Sequence, residues 1–305
     1  LFRTYRVADF RDFAEFHKDA SRLDPLLPFI SEKILAESLH RPKFIPDKDL
    51  FLAEIDGKIV GSMSVYPELE IGRVLLEILV HPQQRGKRIA LSLLPLAMAR
   101  AREMEAKRVQ VSSQERNLAA NRLLSREGFT VVRRFFELRL DLERGTPFPC
   151  TTAGAMMFRN LIPGEEGMLA SLQNRCFGGT WGFNPNTRED ILHRVSLSNS
   201  SYEQIILGLQ SKKPSGYCWI TINSEENAAR KKETGRLHML GVVPECRRQG
   251  IGKALVETAL HWLKQKKIRL VELTVDSENH AALALYRSIG FRVLYPLLWY
   301  EKAVT

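Results

Sequence analysis

From Ile251 to Gln265 the apolar residues Ile251, Leu255, Ala259, Trp262 and Leu263 recur at the 3.6-residue spacing of a helix that lays one face on a sheet. Strand-like runs flank it at 236–243 and 268–275. Upstream, the pattern predicts a strand over 157–161, a helix over 164–176 and a strand pair over 203–209 and 216–222. Downstream it predicts a short helix from His280 to Ser288, stopped by Gly290, and a last strand over 291–300. Strands and helices in this order make an α/β plan around a mixed sheet.

The plan occurs twice. ILVHPQQRGKRIALSLL at 78–94 parallels LGVVPECRRQGIGKALV at 240–256, and NLAANRLLSREGF at 117–129 parallels NHAALALYRSIGF at 279–291. Pro82 and Pro244, Asn117 and Asn279, and Phe129 and Phe291 all stand 162 residues apart. Two separated segments that match at one offset indicate a tandem duplication. The expected domains are therefore 1–143 and 156–305, joined by the Pro-, Gly- and Thr-rich stretch 144–155.

Composition agrees with this division, since 305 residues exceed what one core usually organises. With 44% hydrophobic and 26% charged residues the chain is of the ordinary globular kind. No apolar run approaches the roughly 18 residues of a membrane span, and no charged-then-apolar leader opens the sequence. Leu1 in place of Met leaves a preceding segment open. Cys150, Cys176, Cys218 and Cys246 are far apart and form no C-x-x-C pair, which suggests neither a zinc site nor a disulfide framework. The expectation is a cytoplasmic protein with no membrane partner. A net charge of +10 invites an anionic partner, but the excess divides as +4 before and +6 after residue 150. That spread argues against nucleic acid, which favours a concentrated stripe.

RRQGIG at 247–252 joins a strand to the helix 251–265. The first turn of a helix presents unpaired N–H groups and a positive dipole end, so such a turn is an anion cradle. Gly250 and Gly252 let a phosphate approach the backbone, and Arg247, Arg248 and Lys253 add charge. A basic solvated turn is the alternative. The Walker frame is absent, and a dinucleotide fingerprint would need a third glycine where Leu255 stands.

V-V-P-x-x-R-R-Q-G-I-G-K-A-L, followed by N-H-A-A-L-A-L-Y-x-x-x-G-F, resembles the two signature motifs of the GCN5-related N-acetyltransferase superfamily. The resemblance implies two such domains, each a mixed, mostly antiparallel sheet flanked by helices, and acetyl-CoA as acyl donor. It places the pyrophosphate on the turn of Arg247, Arg248, Gln249, Gly250, Ile251, Gly252 and Lys253. The pantetheine arm would lie along Leu240, Gly241, Val242 and Val243, with Asn279 touching the donor or simply capping its helix.

At the 162-residue offset Gly250, Gly252, His238 and Tyr286 correspond to Arg88, Ala90, Leu76 and Leu124, so the first copy reads as degenerate. Glu77 falls one residue out of phase with His238 and should face the other side of its sheet unless a bulge intervenes.

Acyl transfer to an amine needs a neutral amine, a place for charge on the thioester oxygen and a proton for the departing thiolate. His238 is the candidate base, directly or through water, in a strand similar to that of family members with a histidine there. Tyr286 matches the tyrosine that protonates the thiolate in many members, and a backbone N–H of Gly241 or Val242 is the candidate oxyanion donor. The acceptor is expected at 174–190, where Trp181 and Phe183 stand among glycines and asparagines; Cys176 reads as a buried hydrophobe there. The reading is thus an N-acetyltransferase acting by direct attack on a primary amine in a ternary complex, carried by the second domain. A coenzyme A sensor without turnover and a basic nucleic-acid scaffold are its rivals.

Overall fold

The computed structural model describes residues 1–24, 26–27, 29–144 and 156–304. It divides into two compact units, residues 1–133 with 298–305, and residues 134–297. Among the described residues no helix is long and apolar enough to cross a membrane.

In the first unit β1 (Phe2–Thr4), α1 (Phe10–Leu23), α2 (Glu32–Ser38) and α3 (Pro46–Asp49) precede β2 (Leu50–Ile55), β3 (Lys58–Glu68) and β4 (Arg73–Val80). Then follow α4 (Ile89–Glu103), β5 (Arg108–Gln114), α5 (Leu118–Arg126) and the start of β6 (Thr130–Asp141). Strands β1 to β4 pair antiparallel in sequence order, and β4 pairs parallel with β5. Leu93, Ala97 and Ala101 of α4 are fully buried in one cluster with Met63, Val65 and Val74 of the sheet.

The second unit begins with residues 134–141 of β6, which pair antiparallel with β11 (Leu270–Asp276) from Phe135↔Asp276 to Asp141↔Leu270. Its other elements are β7 (Met156–Asn160), α6 (Glu166–Phe177), α7 (Arg188–Ser196), β8 (Ile205–Gln210), β9 (Lys213–Thr221), α8 (Ser224–Arg230), β10 (Thr234–Val242), α9 (Ile251–Gln265), α10 (His280–Ile289) and the first part, residues 292–297, of β12 (Arg292–Ala303). The strand order is β6-β11-β10-β9-β8-β7. Among the described pairings of this unit β10 and β11 alone run parallel, so the sheet is mixed and mostly antiparallel.

Helix α9 explains why the apolar stripe was so clear. Leu255, Ala259, Leu260 and Leu263 have no exposed surface, and burying one such leucine contributes roughly 1.5–3 kcal/mol. The helix lies close because glycines face it: a Cβ on Gly235 would meet Leu263 Cδ2 at 2.7 Å.

The units do not follow the sequence halves. Leu138, Leu140 and Leu142 of the first half are buried in the second unit's core, while Leu298 and Tyr300 are buried in the first unit's. In the first unit Gln110 Nε2 donates to Glu301 Oε2 at 2.6 Å. Each half therefore gives its last strand segment to the other unit, a division that the bounds 1–143 and 156–305 do not contain. The expected linker lies, apart from Arg144, outside the described residues.

Candidate active site in the second unit

Two strands that run together and then part set the geometry. The parallel pairing of β10 with β11 stops at Arg236↔Glu272, although β10 continues to Val242 and β11 to Asp276. Beyond that point the β11-facing backbone groups of β10 have no partner strand among the described residues, and Leu240, Gly241, Val242 and Val243 lie on or just past this edge. Val243 N–H donates to Ser215 O at 2.9 Å, which holds the end of the strand.

At the fork the register against β9 slips: Leu237 lies opposite Ile220 and Met239 opposite Trp219, leaving His238 as the extra residue of a β-bulge. The first unit has a fork but no bulge there, since β3 and β4 pair without interruption from Gly61↔Val80 to Glu68↔Arg73. Arg73 lies opposite Arg108 as Thr234 lies opposite Leu270, offsets of 161 and 162 residues between the copies. The correspondence of His238 with Leu76 therefore has to be corrected. Leu237 is the structural partner of Leu76, both buried, and His238 is an insertion. Glu77 stays aligned with Met239 and accepts from the Tyr66 hydroxyl at 3.1 Å.

His238 follows the α9-facing Leu237 onto the α6 and α7 face of the sheet, and the bulge keeps Met239 on that face too; the His238 ring meets Trp219 edge-on with centroids 6.0 Å apart. Water reaches the ring although protein surrounds it deeply. That surrounding protein first, then the cations Arg194 and Arg236, push the imidazole down to about 4, toward the neutral form.

Tyr286 approaches from the other face. It is 7% exposed in the cluster that buries α9 and α10, with its ring edge-on to Phe291 at 5.7 Å. Burial, with a smaller contribution from Cys218, raises its phenol well above the ordinary range, so it stays protonated. His238 and Tyr286 thus belong to opposite faces, with the parted strands between.

The turn leads from this fork into α9. Gly250 caps the helix at φ 81°, with nothing within 4 Å of where a Cβ would stand. Arg248 is exposed and also left-handed, at φ 60°. Arg247 is committed to the fold: its guanidinium donates to Val242 O at 3.1 Å and Cys176 O at 2.7 Å. Gln249 accepts from Gln210 at 3.3 Å, and exposed Lys253 pairs with Glu257 at 3.8 Å. Ile251 is buried, and Gly252 lies against Val242 and Leu285, bringing α10 to the first turn of α9. Asn279 caps α10, accepting from Ala282 N at 3.1 Å, as Asn117 accepts from Ala120 N at 3.2 Å in the first unit.

Trp181 and Phe183 sit on the connection between α6 and α7, half-buried. Trp181 lies 5.8 Å from Phe135 of β6, and Phe183 stacks on Phe177 at 5.3 Å. The thiol of buried Cys176 is pushed up to about 12 by burial, which removes nucleophilic character at neutral pH.

Sequence reasoning missed Arg236, Glu137 and Thr274, which share the His238 face. Arg236 donates to Glu137 Oε1 at 2.5 Å and to Thr274 Oγ1 at 2.9 Å. No local pattern ties residues 99 positions apart.

The Acetyltransferase (GNAT) family model matches residues 13–129 and 168–291, once in each sequence half. A mycothiol acetyltransferase of Renibacterium salmoninarum is 27% identical over 224 residues, which are 71% of this chain and 63% of that protein. Another, of Stackebrandtia nassauensis, is 25% identical over 302 residues, covering 95% of this chain and 94% of that one. Among solved structures, a tandem GNAT protein from the clavulanic acid biosynthesis pathway superposes with a TM-score of 0.76 at 16% identity, covering 100% of this chain and 98% of that one.

Proposed function

This chain belongs to the acetyltransferase (GNAT) family, and on that premise we propose that its second unit transfers an acetyl group from acetyl-CoA to a primary amine by direct attack in a ternary complex. The observation that carries this reading is the fork of β10 and β11, with the inserted His238 at its root and the Gly250 turn at its end. The tandem architecture is similar to mycothiol synthase, and the names of the relatives make the amine precursor of mycothiol the first acceptor to test.

On this reading the backbone N–H groups of the turn from Arg247 to Lys253 receive the donor's pyrophosphate, helped by the positive end of the 15-residue α9. The pantetheine arm lies along Leu240, Gly241, Val242 and Val243 and pairs with the backbone groups of Leu240 and Val242, which face away from β9, since Val243 N–H is held by Ser215 O. Neutral His238 takes the amine's proton, directly or through water, on the face that also carries Trp181. As nitrogen attacks the thioester carbonyl, the N–H of Val242, which faces the open side of β10 where that of Gly241 faces β9, stabilises the oxyanion. When the C–S bond breaks, Tyr286 gives its proton to the thiolate from the opposite face. Asn279 holds the start of α10, which carries Tyr286.

Calorimetric titration of acetyl-CoA into wild type, Gly250→Glu and Arg88→Glu, coupled to a thiol-release assay with the mycothiol precursor, tests the reading. Binding and turnover lost in Gly250→Glu and kept in Arg88→Glu are expected. Undiminished turnover in Gly250→Glu overturns the assignment to the second unit, and binding without thiol release for any primary amine favours a sensor.

A further inference from the structure

On the His238 face the second unit holds charged groups that the proposed mechanism leaves unused. Arg236 is the last β10 residue paired with β11 and stands two residues before the bulge. Its guanidinium reaches along the face instead of staying opposite Glu272. It donates to both oxygens of Glu137, at 2.5 and 3.3 Å, and to Thr274 Oγ1 at 2.9 Å. Thr274 Oγ1 in turn donates to Glu137 Oε2 at 2.7 Å, and Glu137 is only 3% exposed. Glu272 stands 3.5 Å from Arg236 and accepts from Arg139 at 2.5 Å. Three strands, β6, β10 and β11, are thus pinned where two of them separate.

A buried carboxylate left without its cation is strongly disfavoured, so Glu137 holds Arg236 in place as Arg236 holds Glu137. The consequence falls on the neighbouring bulge. We propose that Arg236 is a positioning residue for His238: clamped by Glu137 and Thr274, it fixes the root of the fork and keeps a cation on the sheet face that carries the imidazole. The proposal rests on the reading of His238 as the base. Trp219 of β9 packs against that ring, and Arg194 of α7 is the other cation acting on it. Glu137 and Glu272 act in the opposite sense, by neutralising Arg236. The arrangement gives β6, from the other sequence half, a part in setting the base.

The test is direct titration of His238 by NMR in the full chain with ring-labelled histidine, assigned through His238→Gln. This readout needs no acceptor, so it stands even if no substrate amine is found. Arg236→Met removes a cation and bares two carboxylates; the His238 midpoint should rise by about half a unit or more. Glu137→Gln leaves the cation less neutralised, and the midpoint should fall. Arg236→Lys, which keeps the charge with fewer hydrogen bonds, guards against a variant that fails to fold and should move the midpoint less than Arg236→Met. Where turnover is measurable, the acid limb of kcat/KM should move as the midpoint does. An unmoved midpoint in Arg236→Met, or shifts of the same sign in Arg236→Met and Glu137→Gln, would overturn the proposal, because loosening the clamp alone does not distinguish the two charges.

Discussion

Arg88 and Gly250 hold the same left-handed backbone position at the caps of α4 and α9, φ 61° and 81°. Two residues earlier the occupants are exchanged, Gly86 at φ 82° and Arg248 at φ 60°. Both turns therefore keep one backbone shape, and what separates them is where the side chains stand. A non-glycine residue in this conformation costs about 1–2 kcal/mol, partly offset by the larger unfolded-state entropy of glycine. Arg88→Gly should raise the unfolding midpoint slightly. Gly250→Arg should fold with a loss of about 1 kcal/mol, its Cβ meeting open space, yet lose acetyl-CoA binding. Denaturant melts beside calorimetry separate the two effects.

Gly241 and Gly252 differ in the same spirit. A Cβ on Gly241 would meet Tyr217 Cε1 at 2.7 Å and Cys176 Cβ at 2.8 Å, so Gly241→Ala must push two buried residues apart. Overpacking of this kind costs about 1–3 kcal/mol. A Cβ on Gly252 would make ordinary contacts at 3.6 and 3.7 Å, and Ala90 already stands at the matching place. Urea denaturation should show the large loss for Gly241→Ala, while Gly252→Ala stays within about 0.5 kcal/mol of wild type. A Gly241→Ala protein as stable as wild type would contradict this packing.

Much of the fold was legible because its signals are local. The stripe of α9, the stop at Gly290 and the paired segments 162 residues apart each lie within one short stretch, and every strand expected in the second half is present within a few residues. Helix α7 was missed although Thr187 and Asp190 form a capping box, because its apolar stripe is short, with only Ile191 and Val195 buried. The bulge was not legible. The motifs that fix the 162-residue offset all lie after it, so one extra residue at 238 left no trace in them. The Arg236 clamp was hidden for another reason, since the exchange of strand ends brings Glu137 to a sheet built mainly from the other half.

That exchange predicts how the chain can be cut. A fragment of residues 156–297 lacks Leu138, Leu140 and Leu142, all at most 5% exposed in the second unit's core, and leaves Arg236 without Glu137. Losing three buried leucines removes roughly 4.5–9 kcal/mol, comparable with the whole stability of a domain. Residues 134–297 should unfold in one cooperative transition by circular dichroism, and residues 156–297 should show none. Cooperative melting of the shorter piece would mean that β6 is dispensable.

The opposed shifts of His238 and Tyr286 predict the pH behaviour. A base held below the ordinary histidine range loses its proton at lower pH, so the acid limb of kcat/KM, calculated on free-base amine, should fall below about 6.5. The phenol of Tyr286 is raised, so its acid form persists through the alkaline side and no limb from it should appear below about 10. Tyr286→Phe keeps the ring contact with Phe291 and removes only the hydroxyl that carries the proton. It should lower kcat about 10²-fold or more while the KM for acetyl-CoA changes little. An acetyl thioester of a more acidic thiol needs less help in leaving, and with such a donor the deficit of Tyr286→Phe should shrink. An equal deficit with both donors would show that Tyr286 acts through packing and that the thiolate takes its proton elsewhere.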